Sequence, residues 1–316
     1  MASIEELRGE RLKKLEELKG QGANPYPAKS NKTHFINEAF SDFENLKNSE
    51  KEVIVGGRVM SLRGSGAIMF MDLFDGTGKM QAVVKLPEGQ AAHDFVNKFV
   101  DIGDFIEVRG KLFNTKTGQE SILAENISML SKSLLPLPDK HKGLQDEELR
   151  MRLRYLDILT TPELRDMLEK KAKFWKAVRE FLTEKGFLEV ETPTIEVTTG
   201  GAEARPFATH HNDYDLDVYM RICIGELWQK RLMAAGLPRT FEIGKAYRNE
   251  GSSPDHLQEF TNCEFYMAYA DFNDGMELVK ELYRKIANDV FGTTKFTTRG
   301  HTFDLADEWR EVKEDF

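Results

Sequence analysis

The 316-residue chain contains no run of 18 or more apolar residues, so its sequence offers no membrane span. Cysteine is almost missing. Cys223 and Cys263 are too few for a disulfide framework and lack the spacing of a zinc motif. Excess positive charge is missing too. Forty-four Lys and Arg stand against 53 Asp and Glu, and the formal net charge of −9 argues against a general nucleic-acid coat. Local basic patches remain open. Part of the acidity is gathered in residues 301–316, where Asp304, Asp307, Glu308, Glu311, Glu314 and Asp315 face only Arg310 and Lys313. The start, Met1-Ala2-Ser3-Ile4-Glu5-Glu6, is acidic and shows no secretory pattern, so a cytoplasmic location is expected by elimination. No Ser-His or Cys-His pairing stands out. His210 and His211 are adjacent, and neighbours in a strand point to opposite faces, so they read as structural rather than as a metal pair.

What is present is a folded, mixed composition with 40% apolar and 31% charged residues, long enough for two domains. Residues 1–22 open with Ile4, Leu7, Arg11, Leu12, Leu15 and Leu18 at helical spacing, an amphipathic helix closed by Gly22 and Pro25. From 23 to 133 the pattern changes to about five short strands: Val53–Val59, Ile68–Leu73, Lys79–Val84, Phe105–Leu112 and Ser121–Ala124. Asp75-Gly76-Thr77-Gly78 makes a hairpin turn, and a helical stretch near Ala91–Val100 separates the third and fourth strands. This is the plan of an OB-fold β-barrel, a fold that reads unpaired bases. Pro136 and Pro138 mark a boundary, with a charged connector over 134–155. The second domain, 156–316, begins with a helix from Pro162 to Lys185 carrying Leu164, Leu168, Trp175, Val178, Phe181 and Leu182. Gly186 stops it, and a strand runs from Phe187 to Pro193. The expected class is α+β.

The richest stretch is Arg239–Asp271, which reads as two strands joined by a polar loop. Side chains alternate along a strand, so Glu242, Gly244, Ala246 and Arg248 share one face, opposite Phe241, Ile243 and Tyr247. On the second strand Phe260, Asn262, Glu264, Tyr266 and Ala268 line up, opposite Cys263, Phe265 and Met267. Where the two polar faces meet, small residues leave floor space beneath an arginine, carboxylates, an aromatic ring and a phenol. Such a pocket suits something anionic, something flat and something cationic.

Phe241-Glu242, then Arg248-Asn249-Glu250-Gly251, His256 and Phe260, resemble motif 2 of class II aminoacyl-tRNA synthetases. The run Cys263-Glu264-Phe265-Tyr266-Met267-Ala268-Tyr269-Ala270-Asp271 is similar to that of lysyl-tRNA synthetases in particular. The long helix followed by a strand ending at Pro193 resembles motif 1, which in that family builds a homodimer interface. The resemblance implies an antiparallel catalytic sheet flanked by helices, with L-lysine, ATP, Mg²⁺ and tRNA(Lys) as ligands. By the same resemblance Arg248, Asn249, Glu250, His256 and Phe260 bind ATP, with Arg248 catalytic at the α-phosphate. Gly201, Glu226, Glu264 and Tyr266 bind lysine. Arg63, Phe70 and Gln81 read the anticodon.

The chain departs from the family at several points. Gln119 stands where glutamate is usual, Asp255 where a basic residue is common, and Leu257-Gln258 where asparagine-proline is common. Arg221–Glu226 is one residue longer than the usual spacing. No segment resembling motif 3 occurs before Phe316, and the acids that hold Mg²⁺ are expected beyond it. The expectation is therefore an incomplete copy of a lysine-tRNA ligase, with a sheet that lacks strands. A non-catalytic tRNA-binding paralogue is the alternative. A synthetase for aspartate or asparagine is disfavoured, because Glu226, Glu264 and Tyr266 suit a cationic side chain.

Overall fold

A computed structural model describes residues 3–49, 51–64, 66–138 and 143–310. Glu311, Lys313, Glu314, Asp315 and residues 139–142 of the expected connector lie outside the described residues. The chain divides into two compact units, Met1–Thr161 and Pro162–Phe316.

In the first unit, helix α1 (Ile4–Gly20) starts at a capping box in which Ser3 and Glu6 satisfy each other's main-chain N–H groups. Leu15 and Leu18 are buried, whereas Ile4 and Leu7 are exposed. Arg11 is buried as well, and its guanidinium donates to the carbonyls of Ile102, Ser133 and Leu135. Two short helices follow that the sequence reading missed, α2 (Ile36–Ser41) and α3 (Phe43–Asn48); they place Ile36, Ala39 and Phe43 in the core. Strands β1 (Val53–Arg63), β2 (Ile68–Phe74), β3 (Lys79–Lys85), β4 (Phe105–Asn114) and β5 (Glu120–Ser131) close a barrel in the order β1-β2-β3-β5-β4. Helix α4 (Gln90–Phe99) lies between β3 and β4 in the chain. The Asp75–Gly78 turn is held by Asp75, whose carboxylate accepts the N–H groups of Thr77 and Gly78. This is the expected five-stranded OB-fold, and β5 extends seven residues past its predicted end at Ala124.

A buried ion cluster ties the barrel base. The Lys132 ammonium is fully buried between Asp101 and Asp104, 2.7 Å from the latter. Burial pushes the Asp104 carboxyl up despite Lys132. Burial acts the same way on Asp101, but Lys132 and Lys14 together hold that carboxyl below its ordinary range. The segment expected as a connector contains helix α5 (Glu147–Arg152) and the start of α6 (Arg154–Thr160).

The second unit begins with α7 (Pro162–Glu184), which buries Ala177, Val178, Phe181 and Leu182 and leaves Leu168 exposed. It ends at Gly186, whose φ of 81° suits glycine. The strand expected over Phe187–Pro193 is only β6 (Leu188–Glu189), parallel to β10 at Thr240 and Phe241. Pro193 cannot donate to a ladder, and the main chain turns there to carry Thr192 towards Arg221. Strands β7 (Ile195–Glu196), β8 (Ala208–His211) and β9 (Leu216–Met220) form a small sheet, followed by α8 (Glu226–Ala234). The hairpin β10 (Arg239–Tyr247) and β11 (Glu259–Met267) pairs antiparallel, giving a sheet of order β11-β10-β6. Helix α9 (Phe272–Ile286), capped by Asp271, packs with α7 against the hairpin's apolar face, where Phe241, Ile243, Cys263 and Phe265 meet Phe181, Leu278 and Ile286. A hairpin of β12 (Lys295–Thr298) and β13 (His301–Asp304) follows.

Candidate functional site

The hairpin register sets Thr240 opposite Tyr266, Glu242 opposite Glu264, Gly244 opposite Asn262 and Ala246 opposite Phe260. The polar residues read from alternation therefore share one face. One of them is not available to a ligand. Glu242 is buried and engaged through both oxygens: Arg221 Nη1 donates to Oε1 at 2.6 Å, and the Thr192 hydroxyl donates to Oε2 at 2.6 Å. Arg221, itself only 4% exposed, also donates to the carbonyls of Lys245 and Thr192. This clamp corrects the expectation that Glu242 is an open carboxylate of the pocket. Its partners lie 21 and 50 residues away in sequence, so no local pattern points to them.

Glu264 stays on the open side. Its Oε1 accepts the Ile224 N–H at 2.8 Å. Burial, with the charges of Glu226 and Glu242, raises its pKa against the opposing pull of that N–H and Arg221. Tyr266 is pushed up to about 12, by burial first and then by Glu226 and Glu264. Glu226 opens α8 as the sequence suggested and pairs with Lys230 at 2.7 Å. Gly201, with φ +89°, packs so closely on this group that a Cβ would overlap the Glu226 carboxylate and the Cys223 sulfur. Cys223 in turn donates its S–H to the Gly200 carbonyl at 2.9 Å. Gly225, with φ +63°, and Gly244 are filled likewise: a Cβ would strike the Thr192 hydroxyl at the first and the Arg221 guanidinium at the second. The structure thus brings Gly201, Glu226, Glu264 and Tyr266 together around a space rich in carboxylate.

A cavity of about 370 Å³ lies at the end of the hairpin, lined by Arg248, Glu250, Asp255, His256, Leu257 and Phe260 among others. The Arg248 guanidinium sits 5.2 Å from the Phe260 ring centre and donates to the Ile222 carbonyl. The Glu250 carboxylate accepts the Arg205 N–H, and Asn249 N–H donates to the Arg205 carbonyl at 2.7 Å. Asn249 does not line the cavity. Arg205 is a positioning element that sequence reasoning missed, because it acts through its main chain. His256 is hydrogen-bonded to Ser253, and Asp255 approaches Arg299 at 3.8 Å. Among the described residues no group of three His, Cys, Asp or Glu is placed to hold a metal ion. His210 lies beside Asp215 and Asp217. Among the described residues no helix is long and apolar enough to cross a membrane.

In the first unit, Arg63, Phe70 and Gln81 line one groove of about 750 Å³. Met69, Met71 and Leu73 point into the barrel, so Phe70 stands on the outer face, half-buried and outside the core. Arg63 pairs with Asp72 at 3.2 Å, and the Ser121 hydroxyl donates to the Gln81 amide oxygen. Gln119 lines the groove and Glu120 does not.

The sequence pattern of the family "tRNA synthetases class II (D, K and N)" matches residues 146–315, and that of "OB-fold nucleic acid binding domain" matches residues 53–130. Curated relatives include the lysine–tRNA ligases of Pelotomaculum thermopropionicum, 43% identical, and of a Roseiflexus species, 42% identical. That of Halalkalibacterium halodurans is 43% identical. Each alignment covers 98% of this chain but only 60–63% of the relative, so the chain spans about three-fifths of their length. The synthetase pattern follows the OB-fold pattern in chain order and covers more than half of the residues, and the chain belongs to the class II tRNA synthetases of the D, K and N group.

Proposed function

We propose that this chain carries the anticodon-reading face and much of the substrate pocket of a lysine–tRNA ligase. The observation that carries the reading is the cluster of Glu226, Glu264 and Tyr266, in which burial and then the neighbouring acids raise the pKa of Glu264 and Tyr266. A site short of positive charge favours an ammonium ligand and disfavours the carboxylate or amide of aspartate or asparagine. Glu226 would hold the α-amino group, Glu264 and Tyr266 the ε-ammonium, and Gly201 the main chain beside them.

The reaction is two displacements. The lysine carboxylate attacks the α-phosphorus of ATP, forming lysyl-adenylate and releasing pyrophosphate; the terminal ribose hydroxyl of tRNA(Lys) then attacks the adenylate's carbonyl, forming the ester and releasing AMP. Neither step needs a protein nucleophile. Positioning and charge stabilisation carry the rate, with Arg248 presenting paired donors to the α-phosphate. Glu250 would meet the adenine amino group, Phe260 its ring and His256 the outer phosphates. Mg²⁺ at nucleotide sites is held by one or two carboxylates together with the phosphates, and no step is assigned to it here. Arg63, Phe70 and Gln81 would read unpaired bases, and the α7–β6 segment would pair two subunits.

The test is lysine-dependent exchange of pyrophosphate into ATP, run on this chain and on a form extended to the relatives' length. Lysine-stimulated exchange in the extended form is expected. Exchange there that lysine does not stimulate would overturn the assignment.

A further inference from the structure

We propose that Gln229 is a positioning residue of the lysine pocket: its buried amide pins the Ile224 main chain so that the Ile224 N–H stays on the Glu264 carboxylate. This deepens the lysine-binding reading above and rests on it.

A side-chain amide buried without partners is costly, so a fully buried glutamine is held by specific hydrogen bonds. Gln229, on α8, is completely buried, and so is Thr240 on β10. The amide is satisfied at both ends. Its Nε2 donates to the Ile224 carbonyl at 3.1 Å and to the Glu264 carbonyl at 3.3 Å, and its Oε1 accepts the Thr240 hydroxyl at 3.0 Å. One side chain thus joins α8, both strands of the hairpin and the segment that leads into α8. Thr240 stands opposite Tyr266 in the hairpin register. The junction therefore meets the hairpin at positions 264 and 266, which carry the partners assigned above to the ε-ammonium.

Ile224 links this junction to the pocket. It belongs to the Arg221–Glu226 segment, one residue longer than usual in the family, which turns at Gly225 with φ 63°. Its N–H donates to Glu264 Oε1 at 2.8 Å, while its carbonyl accepts from Gln229. Those two groups flank the same Cα. With the Ile224 side chain fully buried and its carbonyl held, the N–H has little freedom to swing away. Asn262 also reaches Oε1, at 3.5 Å, and among the described residues none donates to Oε2. Oε2 is the oxygen left for an ammonium.

The same bond bears on the charge of Glu264. Burial is the largest influence raising its pKa, and the Ile224 N–H is the largest opposing it. Glu226 of α8 and Glu242 of β10 add to the rise, and Arg221 adds to the opposition. Cys223 and Tyr266 are the other titratable groups beside it. A carboxylate that loses a donated N–H is a weaker acid, so loosening Ile224 should raise the pKa of Glu264 further.

The experiment compares wild type with Gln229→Met, which keeps the shape of the side chain but not its amide. In the 316-residue chain, carbon NMR of labelled glutamate, assigned with Glu264→Gln, follows the Glu264 carboxyl through a pH titration. It should take up its proton at higher pH in the variant. In the extended form, the KM for lysine in pyrophosphate exchange should rise about tenfold, the low end for losing a hydrogen bond to a charged group. The KM for ATP should stay as it is, and the acid limb of the lysine KM should move up by about one pH unit. Thr240→Val, which removes only the donor to the amide oxygen, should shift both readings the same way by less. An unchanged Glu264 titration in Gln229→Met, or in Thr240→Val where the first variant does not fold, overturns the proposal. A KM that rises alike for lysine and ATP also overturns it, as the mark of general loosening. Exchange that lysine does not stimulate in the wild type refutes the lysine-binding reading itself, and the proposal with it.

Discussion

The barrel and the β10–β11 hairpin solve the same problem, holding polar groups in fixed positions, by opposite means. In the barrel every strand has two neighbours, and the groove of Arg63, Phe70 and Gln81 rests on a closed ladder over a continuous core. In the second unit the sheet is open: among the described residues β11 pairs only with β10, and Glu264 and Tyr266 project from that edge strand. There the fixing is done by a buried ionic clamp of Arg221, Glu242 and Thr192 rather than by ladder closure. A rigid platform suits recognition by shape and stacking. A cleft on a sheet edge depends more on individual charged contacts, and single substitutions should reach further into its function.

The strongest way to sharpen this contrast is Arg248→Ala in the extended protein. Loss of the donors proposed to meet the α-phosphate should lower lysine-dependent exchange by at least about 10²–10³-fold, and retained exchange would remove Arg248 from its role. Next come the two buried ion networks. Arg221→Met and Lys132→Met each strand buried carboxylates, and each should lower unfolding free energy by about 3–5 kcal/mol in urea titration. The contrast predicts different collateral damage. Arg221→Met should abolish lysine binding even where the chain stays folded, whereas Lys132→Met below its melting point should still bind RNA. Equal damage to both ligands in both variants would break the comparison. Phe70→Ala should weaken binding of an anticodon stem-loop by about 1–3 kcal/mol; no change would sink its stacking role.

The smallest effect concerns pH. Glu264 has a raised pKa, so as pH falls it gains its proton above the ordinary carboxylate range and loses the charge proposed to face the ammonium of lysine. The KM for lysine should therefore rise on acidification, by up to tenfold per pH unit below that pKa, and Glu264→Gln should flatten the profile. Tyr266, pushed up to about 12, stays neutral throughout and keeps its hydroxyl proton. A KM that stays constant down to the ordinary glutamate range would contradict this.

Much of this was legible in the chain because the relevant information is local. Strand alternation put Glu264 and Tyr266 on one face and Cys263 and Phe265 on the other, and the observed register agrees. The Asp75–Gly78 turn and the strands on either side follow from the same short-range rules. What the sequence hid depends on distant partners. Nothing near Glu242 announces Arg221 or Thr192, so its carboxylate read as free. Without the family resemblance Phe70 reads more readily as barrel core, until the burial of Met69 and Met71 fixes the phase of β2. The strand at Phe187 proved short for a related reason: its length is set by where β10 runs beside it, not by its own apolar residues.

Gly201, Gly225 and Gly244 have a consequence for how such a site can change over generations. At each, the volume of an absent methyl group is taken by a polar atom: the Glu226 carboxylate, the Thr192 hydroxyl and the Arg221 guanidinium. The smallest coding step away from glycine, to alanine, thus collides with the chemistry itself, and at Gly201 and Gly225 the left-handed backbone adds a second barrier. Selection can explore new ligands here only through the side chains that surround the three glycines. The main chain acts as a fixed mould, and lineages that diverge in what they bind should keep these three positions while their neighbours drift.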